Sequence, residues 1–142
     1  MKQYDLSRFI AAQETSYETA LAEIRNGRKE SHWMWFIFPQ IDGLGASPTA
    51  KYYALRDLDE AKAYMTHPLL GARLREICGV LLGLPDRDAE AIFGWPDVLK
   101  LRSCLTLFAA ACPQEPLFSQ LLAKFYGGES DPRTLEILGL TA

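Results

Sequence analysis

The sequence predicts an all-α protein, a single compact helical domain over residues 1–142. Three observations carry this. Apolar residues recur at spacings of three and four along most of the chain, the period of a half-buried helix. Ser, Asp and Pro stand where helices start, and Gly or Pro where they stop. Only one stretch, Trp33 to Phe38, has the composition of a buried strand. A lone strand would leave its backbone groups unpaired in the core, so a short buried helix is expected there instead.

The elements follow in chain order. Leu6, Phe9 and Ile10 give a short first helical face, with Asp5 as its cap. Thr15-Ser16-Tyr17-Glu18 reads as a capping box, so a second helix is expected from Ser16, with Tyr17, Ala20, Leu21 and Ile24 inward. Gly27 stops it, and Arg25, Arg28 and Lys29 suit its negative end. The aromatic run Trp33–Phe38 is expected to be buried on every side, with the other helices wrapped around it; Pro39 ends it. Ser47-Pro48 starts a helix with Tyr53, Ala54, Leu58, Ala61 and Met65 on one stripe, interrupted near Asp57. Thr66-His67-Pro68 restarts the chain into a helix carrying Leu70, Leu74, Ile77 and Leu81. Asp88 to Phe93 is a short helix ended by Gly94. Trp95-Pro96-Asp97 opens a helix striped by Val98, Leu101, Leu105, Phe108 and Cys112. Phe118, Leu121, Leu122 and Phe125 mark the next, stopped by Gly127-Gly128. Asp131-Pro132 caps the last, with Leu135 and Leu138 inward.

Composition limits the function. At 49% hydrophobic and 23% charged residues the chain is of folding, not disordered, type. A net charge of −3 with scattered Lys and Arg excludes the electrostatic footprint of a nucleic-acid binder. The longest apolar run is far short of the ~20 residues that span a bilayer. Cys78, Cys104 and Cys112 are odd in number and lack a pairing pattern. With the polar start Met1-Lys2-Gln3-Tyr4-Asp5, they lead us to expect reduced thiols and a cytoplasmic location.

Several runs together resemble one family. They are Arg8-Phe9 with Ala12-Gln13 and Tyr17, Gly27-Arg28-Lys29, and Ser31-His32-Trp33-Met34-Trp35-Phe36-Ile37-Phe38-Pro39-Gln40. Gly43-Leu44-Gly45-Ala46-Ser47, His67-Pro68-Leu69-Leu70-Gly71-Ala72-Arg73-Leu74 and Ile92-Phe93-Gly94 with Asp97 and Lys100-Leu101 extend the match. Thr106-Leu107-Phe108, Phe125-Tyr126-Gly127-Gly128 and Asp131 with Thr134-Leu135 complete it. The chain is similar over its whole length to the uncharacterised family catalogued as domain of unknown function 1810. That resemblance implies a mostly helical fold and no particular activity. Where related chains tend to read Ser-Ser-Met-Thr-Leu-Phe, this one reads Ser103-Cys104-Leu105-Thr106-Leu107-Phe108.

Candidate chemistry is sparse. His32 and His67 are the only imidazoles. No His-x-x-x-His or Cys-x-x-Cys spacing exists, so neither a metal site nor a cofactor is expected. His32 is the better candidate for a catalytic base, beside Ser31 and near Gln40 in sequence. Cys104 shares a helical face with Lys100 and Asp97, which could activate a thiol; a small buried apolar residue is the plainer reading. The glycine loop 43–47 could cradle an anion at a helix start, though an ordinary turn is the plainer reading. The combined feature is aromatic walls with polar groups: His32, Trp33, Trp35 and Gln40, with Arg73, Asp97 and Lys100 as polar partners. This describes a pocket that binds or processes a small anionic or nucleotide-like molecule. The alternative is a non-catalytic protein–protein interaction module. Oligomeric state is not legible.

Overall fold

The computed structural model describes residues 4–140. Among them are nine α-helices and no strand: α1 Ser7–Arg25, α2 Met34–Ile37, α3 Pro48–Tyr52, α4 Leu58–Thr66, α5 Pro68–Gly83, α6 Ala89–Phe93, α7 Asp97–Ala111, α8 Pro116–Tyr126 and α9 Pro132–Leu138. One continuous core joins them. The only ladder-like pairing described is an isolated parallel bridge, Ile41 with Leu55. Asp42 N–H donates to Leu55 O at 2.7 Å and Leu55 N–H to Gln40 O at 2.9 Å. This bridge pins the base of the 42–54 excursion.

The N-terminal region corrects the expectation of two helices. α1 runs unbroken through Thr15 and Ser16. Phe9, Gln13, Tyr17, Ala20, Leu21 and Ile24 form one buried stripe. Gln13 looks in sequence like a polar gap in that stripe. Its amide instead donates to Phe36 O at 2.7 Å and to the Tyr64 hydroxyl at 2.9 Å, so a buried polar side chain continues the face. The reciprocal cap lies elsewhere, at α4. Asp57 Oδ1 accepts from Glu60 N at 2.8 Å, and Glu60 Oε1 reaches back to Arg56 N at 2.7 Å. Asp57 thus starts α4 where the sequence suggested an interruption, but Tyr53 and Ala54 lie between α3 and α4 rather than on a helical stripe.

The aromatic run is indeed a helix, a single turn over Met34–Ile37, and Trp33, Met34, Ile37 and Phe38 are buried. It is not enclosed on every side, because Trp35 and Phe36 are only half-buried. The enclosed element is α7, buried at every position from Ser103 to Phe108. Its polar members hide in plain sequence: Ser103 and Thr106 return their hydroxyls to the carbonyls four residues back, at 3.1 and 2.8 Å. α7 packs on α4, α6, α8 and α9. Phe108 links the ring of Tyr64 on α4 to that of Phe118 on α8, each 5.6 Å away.

The α4–α5 elbow is set by two residues. His67 Nδ1 accepts from Leu69 N and Leu70 N at 3.1 and 3.3 Å, capping α5 ahead of Pro68. His67 is thereby a structural imidazole. Gly71 lets the α4 end approach: a Cβ there would lie 2.0 Å from Met65 O, a backbone atom that cannot step aside. Gly71→Ala is expected to lower stability by about 2 kcal/mol or more, measured by urea unfolding. An unchanged midpoint would mean that the elbow relaxes freely.

Candidate functional site

The site region starts at Glu23, on the last turns of α1. Its Oε1 accepts from Glu30 N at 2.7 Å, Ser31 N at 2.8 Å and Trp33 Nε1 at 2.9 Å; its Oε2 accepts from Ser31 Oγ at 2.5 Å. Burial alone would push this carboxyl up. The Ser31 hydroxyl, the two amides and the indole outweigh it and hold Glu23 at about 2. The loop after α1 is therefore folded around one carboxylate, and Trp33 is placed by it.

A chain of charge follows. Lys29 Nζ lies over the Trp33 ring at 5.0 Å, donates to Ser31 O at 2.5 Å and pairs with Asp97 Oδ2 at 2.9 Å. Asp97 Oδ1 pairs with Lys100 at 3.2 Å. Lys100 Nζ in turn lies 4.9 Å from the Trp35 ring centroid. Asp97, Lys100, Trp33 and Trp35 are thus brought into one network. Lys29, which in sequence reads only as a helix-end charge, is its linking member.

Beside this network a cleft of about 310 Å³ opens between the 43–47 loop, α7 and the start of α9. Gln40, Lys100, Ser103, Asp131 and Arg133 supply its polar groups, and Leu44 and Leu99 its apolar ones. A narrow recess beside it, lined by Trp35, shares Gln40, Gly45 and Ala50 with the cleft. Asp131 is already committed: its Oδ2 accepts from Ser103 Oγ at 3.2 Å, Thr134 N at 3.0 Å and Thr134 Oγ1 at 2.5 Å. Arg133 is exposed and has no ion pair among the described residues. Asp131, Ser103 and Arg133 carried no signal in the sequence beyond a helix cap.

The other candidates lie apart. Trp33 is 1% exposed and offers no face to solvent. Arg73 on α5 lies over the Tyr17 ring at 4.9 Å and 3.5 Å from Gln13 Oε1, outside the cleft lining. His32 is exposed and lines none of the recesses described. Cys104 is fully buried, and burial drives its thiol well above the ordinary range, the reverse of an activated nucleophile. The 43–47 loop leads into α3, whose Ser47 cap already accepts the Ala50 amide at 3.1 Å. Among the described residues no group of three or more His, Cys, Asp or Glu is arranged to hold a metal ion. No helix described is long and apolar enough to cross a membrane.

The family model "Protein of unknown function (DUF1810)" matches residues 3–138. The chain belongs to this family. It is similar to the conserved hypothetical protein Rv1873 from Mycobacterium tuberculosis, known from a crystal structure. The two share 50% identity over 97% of this chain and 99% of that one, with a TM-score of 0.94. No curated protein matches. The family is uncharacterised, so the comparisons bear on fold and membership alone.

Because Glu23 is held low in the fold, its contribution to stability is present above its ordinary value of 4.5 and is lost as pH falls from there toward about 2. Glu23→Gln is expected to remove that acid-side slope. Glu23→Ala, which leaves the indole N–H without an acceptor, should cost about 2 kcal/mol more at pH 7. Urea midpoints recorded across this pH range check both.

Proposed function

We propose that the protein binds a small anionic or nucleotide-like molecule in the cleft between the 43–47 loop, α7 and α9. The observation that supports this reading is the convergence of Lys100 and Arg133 on one cleft that also holds a neutral amide, Gln40, and apolar flanks. An arginine with no ion pair among the described residues and a lysine seated on an indole suit an anion. Trp35, half-buried beneath that lysine, offers an aromatic flank. Asp97 acts behind the cleft, fixing the position of Lys100 and tempering its charge, and Lys29 holds Asp97 in place.

Binding is favoured over turnover. Asp131 is engaged by three donors, and the cleft lining contains no histidine. His32 would have to act from outside it. The expected result of a thermal-shift screen is stabilisation by nucleotides or sugar phosphates at millimolar concentration. Lys100→Ala and Arg133→Ala should each weaken binding about tenfold, equivalent to ~1.4 kcal/mol, by calorimetry. His32→Ala should bind as the wild type does. If no anion shifts the melting temperature, or if the two cation variants bind unchanged, the reading fails.

The interaction-module reading draws on Trp95 and Leu99, 69% and 45% exposed, next to the cleft mouth. It gains ground if sedimentation shows self-association that Trp95→Ser abolishes.

A further inference from the structure

The 42–54 excursion also walls a second, larger recess of about 740 Å³, between the start of α1 and the start of α4. Among the described residues three cations and three carboxylates line it, so these bring charge of both signs in balance. Its floor is made by Arg8 and Glu60. The Arg8 guanidinium lies over the Phe9 ring, 4.4 Å from its centroid. Of the five N–H groups of an arginine, the described residues accept only two: Nη1 donates to Asp5 O at 2.8 Å and Nη2 to Ala54 O at 3.0 Å. Its Nε is shielded from water and has no partner among the described residues, and the same holds for the nearby Tyr4 hydroxyl.

Glu60 is the complement. Its side chain is only 4% exposed, and its nearest cation among the described residues is Arg8 Nη2 at 3.7 Å, an ion pair too long for a hydrogen bond. Its Oε1 accepts the Arg56 amide, and Oε2 has no hydrogen-bond partner among the described residues. Buried charged groups are ordinarily satisfied by hydrogen bonds. Here an acid and a base stand side by side at the bottom of an open recess, each with capacity to spare. The Tyr52 ring, 61% exposed, forms one wall, edge-on to Tyr53 at 4.8 Å.

We propose that this recess holds a small zwitterion of amino-acid or dipeptide size, with its carboxylate on Arg8, its ammonium on Glu60 and an apolar side chain against Tyr52. The charge balance disfavours a plain anion, which Glu60 and Asp42 would repel. The aromatic wall distinguishes the site from a patch of solvated surface ions. This site is separate from the α7–α9 cleft and does not rest on its function.

The experiment is a calorimetric titration of the full chain with free amino acids and dipeptides, alongside their N-acetyl and C-amide derivatives. At least one free zwitterion should bind, and blocking either end should weaken it about tenfold or more. Glu60→Gln, which retains the oxygen that accepts the Arg56 amide, should weaken it similarly. Tyr52→Ala alters an exposed side chain and should weaken it severalfold with an unchanged circular dichroism spectrum. Lys100→Ala should have no effect, which keeps this site distinguishable from the cleft. The proposal is overturned if no member of the panel binds, if the blocked forms bind equally well, or if Tyr52→Ala in a folded protein leaves binding intact.

Discussion

A single carboxylate organises the region on which both the fold and the candidate cleft depend. Glu23 gathers two backbone amides, a hydroxyl and an indole onto its two oxygens. Those donors belong to the loop after α1, a stretch with no periodic secondary structure to satisfy it. Without the carboxylate, the indole N–H of buried Trp33 would lose its acceptor, and the Glu30 and Ser31 amides would turn to water. Fixing Trp33 fixes the ring over which Lys29 lies. Lys29 reaches Asp97, Asp97 holds Lys100, and Lys100 covers Trp35. The orientation of α7 against the aromatic turn is thus tied back to α1 by alternating rings and charges.

The 42–54 excursion has a comparable role on a smaller scale. Its two ends are joined by the Ile41–Leu55 bridge, so the residues between them stand as a wall rather than a loose loop. Gly45 and Ala50 line one recess, and Asp42 and Tyr52 line the other. One short excursion, α3 with its flanking loops, therefore shapes two cavities of different character. One pairs two cations with an amide and a committed carboxylate; the other balances three charges of each sign.

Much of the helical fold was legible because helix starts and stops carry chemistry visible residue by residue. Ser47-Pro48, His67-Pro68, Asp88 and Asp131-Pro132 all begin helices, and Gly27, Gly94 and Gly127 end segments with positive φ. Errors arose where the group that satisfies a polar residue leaves no mark in the sequence. Gln13 bonds to residues 23 and 51 positions away, so nothing local marks it as part of the buried stripe of α1. Ser103 and Thr106 satisfy themselves on their own helix, which concealed how completely α7 is enclosed. Thr15–Glu18 and Asp57–Glu60 both have the spacing of a capping box, and only tertiary packing decides between them. Of the candidate site, Trp35, Gln40, Asp97 and Lys100 were within reach because they sit in or beside distinctive runs. Lys29 and Asp131 were not, because pairing across loops leaves no periodic trace, and Arg133 reads as an ordinary surface charge.

The three tryptophans occupy three unlike settings. Trp33 is sealed and hydrogen-bonded to a carboxylate, Trp35 lies half-covered beneath an ammonium, and Trp95 stands 69% exposed. The protein consequently carries its own set of optical reporters. Collisional quenchers in solution reach one indole freely, another in part and the third hardly at all, so intrinsic fluorescence can be resolved into signals from surface, cleft flank and interior without any added label.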